Sequence, residues 1–386
     1  MTVSHLRAAP EQRAAEQSAK KGALTARAES HTLGKNEPQS GREASQYCTP
    51  VPRKSRESRK LKPAFNTEQN WYRLRNSEVI RVRLFSHRGM YPYGQIALPQ
   101  GFFHADESIA TLVTKGFSWT HYFEESSFDE FGWSFPEEIR LMGSMVMCER
   151  QDEPTPILYP LQEPTFLLDP TTVDLNSSLG RNAIVDLIKD VGRWPLRTHI
   201  VNGFTQKAKE RISTFDPARL EMERLESTWE RLRPTDFVLL RGLSALIKSD
   251  MLSQHPEFGA EALMSLYVAL ECSFQLVLQR LREDGNPNPS ASDAARWLHD
   301  TFDSHFDFDP PDSSYKYFEE FYQGRITAFH PRNRFGDFPF PPNFWDDLIH
   351  LRRSLPGIFA FLLHGNHSAS FLAGVREFQA KWNVNH

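Results

Sequence analysis

Cysteine is scarce in this sequence. Cys48, Cys148 and Cys272 are widely separated and form no C-x-x-C pair, which argues against a disulfide framework or a thiolate zinc site and fits a reducing cytosol. Long apolar runs are missing too, since the longest, near Ile358 to Leu363, is far short of the ~20 residues a membrane helix needs. The N-terminus lacks the basic-then-apolar pattern of a secretory signal. A soluble cytoplasmic protein with no membrane partner is therefore expected. Charge of one sign is also missing: 45 Lys and Arg stand against 49 Asp and Glu, for a net charge of −4. Nothing global draws the chain to nucleic acid, so any such contact has to come from local basic patches. No G-x-S-x-G elbow, P-loop or dinucleotide glycine fingerprint occurs, which weakens serine hydrolase, ATPase and dehydrogenase readings.

What is present divides into three textures. Residues 1–65 are rich in Ala, Glu, Lys, Arg, Ser and Gln with almost no aromatics, a composition that buries too little apolar surface to offset its ordering entropy. A disordered tail is expected there. Its run Arg53-Lys54-Ser55-Arg56-Glu57-Ser58-Arg59-Lys60-Leu61-Lys62 reads either as a phosphate-touching patch or as a solvated linker. Residues 66–212 read as a small mixed α/β module. Val79 to Phe85 alternates as a strand does, Gln95–Leu98, Met145–Cys148 and Phe166–Leu168 are further short strand candidates, and Ile184 to Lys189 suggests a helix.

From 213 to 386 the pattern turns helical, so the fold class is α+β with an all-α C-terminal bundle. Asp216-Pro217 opens a helix expected to reach Leu232, and Thr235 with Asp236 caps a second through Ile247. A third spans about 258–283, with Leu263, Leu266, Leu270, Phe274, Val277, Leu278 and Leu281 at spacings of three and four. Ser290 or Ser292 caps a short helix through Leu298, Tyr315 to Phe329 makes the next, and the last runs from Asn343 to Leu363, kinked at Pro356 and ended by Gly365.

One helix end carries residues suited to chemistry. Arg325 and His330 lie five apart, and Pro331 turns the chain at His330 so that the imidazole can swing back toward the guanidinium. His moves a proton near neutral pH and Arg clamps phosphate oxygens in two-pronged geometry, a pairing suited to phosphodiester cleavage. The same spacing recurs at Arg81/His87 and Arg193/His199, but the first lies on a strand-like run and the second has Pro195 between its members. The plain alternative makes Arg325 a surface cation and His330 a favourable charge at the negative end of a helix.

An Arg, a gap of four to six residues and then His, late in a helical bundle, resembles the motif of the HEPN-domain family, many of whose members are metal-independent ribonucleases in toxin and anti-phage systems. The resemblance covers roughly 213–365 and includes Ala269-Leu270-Glu271 on the third helix and the stretch from His330-Pro331 to Asp346-Asp347-Leu348. It implies catalysis by Arg325 and His330 without cofactor or metal, RNA as substrate, a homodimer through the helical domain, and an antitoxin or regulator as partner.

Glu271 lies on or beside the apolar stripe and either orients Arg325 or reaches solvent at the stripe's edge. In the loop 332–338, Arg332, Arg334 and Phe335 mix guanidinium and aromatic groups as single-stranded RNA binding requires, unless the Phe side chains plug the core. Asp303, His305, Asp307, Asp309 and Asp312 look metal-like. Read as a calcium loop, however, they place Phe308 where Gly is needed and Ser314 where an acid is needed, so a solvated acidic loop is expected.

Overall fold

The computed structural model describes residues 78–117, 135–150, 155–191, 199–201, 204–206, 211–306, 318 and 344–384. All belong to one unit, Pro63–His386. The expected tail at 1–65 lies outside the described residues.

A five-stranded antiparallel sheet leads, built from β1 (Glu78–Phe85), β3 (Gly94–Leu98), β4 (Gly101–Ala105), β5 (Ala110–Phe117) and β6 (Pro160–Leu168) in the order β3-β4-β5-β1-β6. β1 occupies an inner position, paired to β5 from Glu78 opposite Phe117 to Leu84 opposite Thr111. A short parallel pair joins β2 (Met90–Pro92) to β9 (Ser213–Phe215), and β7 (His199–Val201) pairs with β8 (Phe204–Gln206).

Two helices cover the sheet. The odd and even positions of β1 point to opposite faces. Ile80, Val82 and Leu84 pack with Leu175, Ile184, Val185 and Ile188, the last three on α2 (Ser178–Val191). Arg81 and Arg83 point the other way, toward α1 (Pro136–Met147), and are fully buried. Glu138 of α1 accepts from Arg81 Nε at 3.1 Å and from Arg83 Nε at 3.0 Å. It also accepts the backbone N–H of Phe135 at 2.9 Å, so one carboxylate closes the helix's first turn and pairs with both of the strand's cations.

Met145–Cys148, read from sequence as a strand, belongs instead to the end of α1 and its cap. Four apolar or small residues in a row carry no period of their own, and Pro136 at the helix start with Glu138 capping it makes the helix propagate through them. The helix expected from Asp216 also differs. Asp216 accepts from the Ala218 N–H and starts only a 3-10 turn at Pro217–Arg219, after which Leu220 is extended. Leu220 bridges Glu149, and Glu221 N–H donates to Cys148 O at 2.8 Å, a long-range pairing that interrupts the helix until α3 (Met222–Arg231).

The remaining helices among the described residues are α4 (Phe237–Ser253), α5 (Gly259–Glu283), α6 (Ala291–Thr301), α7 (Phe344–His364) and α8 (Ala369–Val384). α6 starts at a Ser290 capping box with Asp293. Gly285 and Gly365 sit at positive φ, +102° and +73°, where the chain leaves α5 and α7. α4, α5 and α7 pack around Leu243, Leu266, Leu355 and Phe359, and the same core runs on to Phe103 and Leu112 of the sheet through Leu141 and Met145 of α1. Gly242 lets α4 approach closely, because a Cβ there would sit 2.5 Å from Phe359 Cζ. Pro256–Glu283 is long and apolar enough to cross a membrane, but 56% of its apolar window is buried inside the protein, as for a core helix. Cys148 and Cys272 are free thiols.

Candidate functional site

Of the residues singled out from sequence, Glu271 is described. Arg325, His330, Arg332, Arg334 and Phe335 lie outside the described residues, as does the expected helix 315–329 apart from Phe318. Glu271 is half-buried on α5 between the buried Leu270 and Cys272, and it accepts from Gln275 Nε2 at 3.1 Å one turn on. One turn from it on the same helix, the ring of Phe274 lies 4.8 Å from that of Phe318, which is itself buried in the core. Phe318 therefore packs on α5 one turn from Glu271.

The metal-like run divides. Asp303 and His305 lie in a 3-10 turn, Asp303–Phe306, while Asp307, Asp309 and Asp312 lie outside the described residues. His305 packs edge-on against His367 at 5.0 Å and Phe371 at 5.7 Å. Burial raises the Asp303 carboxyl above its ordinary range, with His299 and His350 opposing the shift. In the front module, Asp106 accepts from Lys189 Nζ at 2.7 Å and lies 3.3 Å from His104 Nε2. Burial pushes that carboxyl up, but hydrogen bonds from Lys189 and Ser108 more than offset it and hold it below the usual carboxylate range. Among the described residues, no group of three or more His, Cys, Asp or Glu is placed to hold a metal ion.

Tertiary structure also assembles two polar clusters that sequence reasoning did not find. In the first, Arg352 of α7 donates to both Glu149 oxygens at 2.6 and 3.1 Å and to both Asp250 oxygens at 2.6 and 2.9 Å. Burial lifts Glu149 to about 7 against the pull of Arg352. Arg352 stays charged, because the two carboxyls outweigh the burial that lowers it.

In the second cluster, Thr228 Oγ1 donates to Arg224 O at 2.8 Å and lies 2.9 Å from His364 Nε2 and 3.4 Å from Cys148 Sγ. A Cys and a His share this chain, yet burial pushes the thiol up to about 12 and burial with Arg224 and Arg231 pushes His364 down to about 4. Thr228 also stands between them. A buried, protonated thiol held off its imidazole is a packing group and not a nucleophile.

Only long-range contacts signal either cluster, and spacing along the chain carries no trace of them. No protein-family model matches this chain, nor does any curated protein or solved structure.

Proposed function

We propose that this protein is a cytoplasmic, metal-independent endoribonuclease of HEPN type that works as a homodimer through its helical half in a toxin or anti-phage role. The observation that supports this reading is the contact of Phe318 with Phe274, one turn from Glu271 on α5. The periodicity of 315–329 predicts a helix that would carry Arg325 about 10 Å beyond Phe318 on the same face. If that helix ran antiparallel to α5, the guanidinium would come within reach of Glu271, which would orient it.

In this arrangement Arg325 holds the phosphate oxygens and stabilises charge developing there. His330 takes the proton of the attacking 2′-hydroxyl or returns one to the leaving oxygen. Arg332 and Arg334 track the backbone, and Phe335 stacks on a base. The front sheet would recognise the target or a regulator such as an antitoxin.

Purified protein is expected to cut single-stranded RNA with EDTA present, and to slow bacterial growth on expression. Arg325→Ala and His330→Ala should each abolish both effects. Variants that cut as well as the parent refute the assignment. A chain harmless in both forms points instead to a non-catalytic scaffold whose front module carries the function.

A further inference from the structure

Three side chains distant in sequence meet beside the start of α5. Arg88 leaves the turn after β1, Tyr159 precedes β6, and His255 follows α4. Arg88 Nη1 lies 2.8 Å from His255 Nε2 and 3.1 Å from its Nδ1, and the Tyr159 hydroxyl lies 3.3 Å from the same Nε2. Their backbones are held together. Ser86 N–H donates to Tyr159 O at 2.8 Å, and Met90 and Ile157 exchange backbone hydrogen bonds at 3.1 and 3.0 Å. Gly89 packs so tightly in this turn that a Cβ would fall 2.5 Å from Ile157 O.

The cluster has more donors than acceptors. A guanidinium only donates, and a neutral imidazole accepts through one ring nitrogen while the other carries a proton. Both ring nitrogens of His255 nonetheless face one Arg88 nitrogen. Arg88 is exposed and has no carboxylate partner among the described residues. The acid nearest the imidazole among the described residues, Glu257, has its Oε1 3.9 Å from Nδ1 and is 65% exposed. An oxyanion placed among Arg88, His255 and Tyr159 would accept from all three. Beside them the Phe258 ring, 5.7 Å from His255, leaves 42% of that residue open to solvent.

We propose that Arg88, His255 and Tyr159 bind the phosphate of a nucleotide whose base stacks on Phe258. Arg matches phosphate oxygens with paired donors, and the exposed ring beside the cluster supplies a sequence-tolerant stacking surface. A free mononucleotide and a nucleotide within an RNA strand present the same two groups. For the RNA source alone, the site rests on the nucleic-acid reading above, as a docking point separate from Arg325 and His330.

The full chain carrying His330→Ala, so that the probe stays intact, is titrated into fluorescein-labelled single-stranded RNA with EDTA present and read by anisotropy with and without AMP, and AMP binding to the same proteins is read separately by isothermal titration calorimetry. Adding Arg88→Ala should weaken RNA binding by about tenfold or more, and Phe258→Ala by a similar factor. Tyr159→Phe, which removes one hydroxyl, should weaken it several-fold. Thermal melts that match the parent's midpoint establish that each variant is folded.

RNA binding that depends on Arg88 and that AMP does not displace identifies a strand as the ligand. Binding of AMP that depends on Arg88, with RNA affinity unchanged, identifies a free nucleotide. Unchanged affinity of folded Arg88→Ala and Tyr159→Phe for both probes overturns the site. Arg88-dependent binding in a protein that never cuts RNA leaves this site standing and removes the nuclease reading.

Discussion

Replacing Arg352 by Met tests the cluster that ties α7 to α4 and to the end of α1. Arg352 is 12% exposed and bonded to two carboxyls that are 11% and 10% exposed. Met keeps the volume of the stem and removes the charge, leaving Glu149 and Asp250 facing each other without a cation. Loss of one partner from a buried ionic group costs about 3–5 kcal/mol. For a unit of this size, that is a fall in Tm of roughly 5–15 °C.

The cluster also sets a pH dependence. Glu149 is raised from 4.5 to about 7 in the folded protein by burial, so the folded state holds its proton more tightly than the unfolded state does. The associated stability is fully present below about pH 4.5 and is lost as pH rises through about 7, an effect of at most about 3 kcal/mol. Urea denaturation followed by circular dichroism at several pH values between about 5 and 8 reads it. Glu149→Gln should flatten the slope. Arg352→Met removes the attraction that opposes the rise, so it should extend the slope to higher pH, and adding Glu149→Gln and Asp250→Asn to it should return most of the lost stability. An Arg352→Met midpoint equal to the parent's, or a Glu149→Gln variant that keeps the parental slope, refutes this reasoning.

Two stability predictions test contacts elsewhere in the core. Glu138→Gln leaves Arg81 and Arg83 buried with one carboxylate fewer and should lower stability by about 3–5 kcal/mol, measured by urea unfolding. Gly242→Ala places a methyl 2.5 Å from Phe359 Cζ and 3.2 Å from Cys272 Cβ, and should cost about 1–3 kcal/mol by overpacking, seen as a lower Tm.

Much of the helical half was legible because its signals are local. The i, i+3, i+4 recurrence from Leu263 to Leu281 marks α5, Ser290 caps α6, and Gly365 ends α7. Alternation likewise marks β1 over Glu78–Phe85. The misread elements are those whose state is set from a distance. Leu220 is extended because Glu149 pairs with it, and Met145–Cys148 is helical because the helix capped at Phe135 and Glu138 propagates through it. β4, β5 and α8 were not read from sequence, since their short or mixed runs carry no clear period.

The candidate catalytic pair, Arg325 and His330, was legible as a motif. The pair lies outside the described residues, and the structure describes Glu271 and the contact of Phe318 with Phe274 on α5.

The sequence by itself determined where α5 and α7 start and stop and where α4 and α6 start, because caps, prolines, positive-φ glycines and apolar periods act within a few residues of one another. Tertiary structure alone decided which charged and polar groups meet. Glu138 meets Arg81 across 57 positions, Arg352 meets Asp250 across 102 and Glu149 across 203, and Arg88 meets His255 across 167. Such pairs depend on how the sheet and bundle close on one core, and a charged residue in the chain carries no mark of the partner that burial will supply.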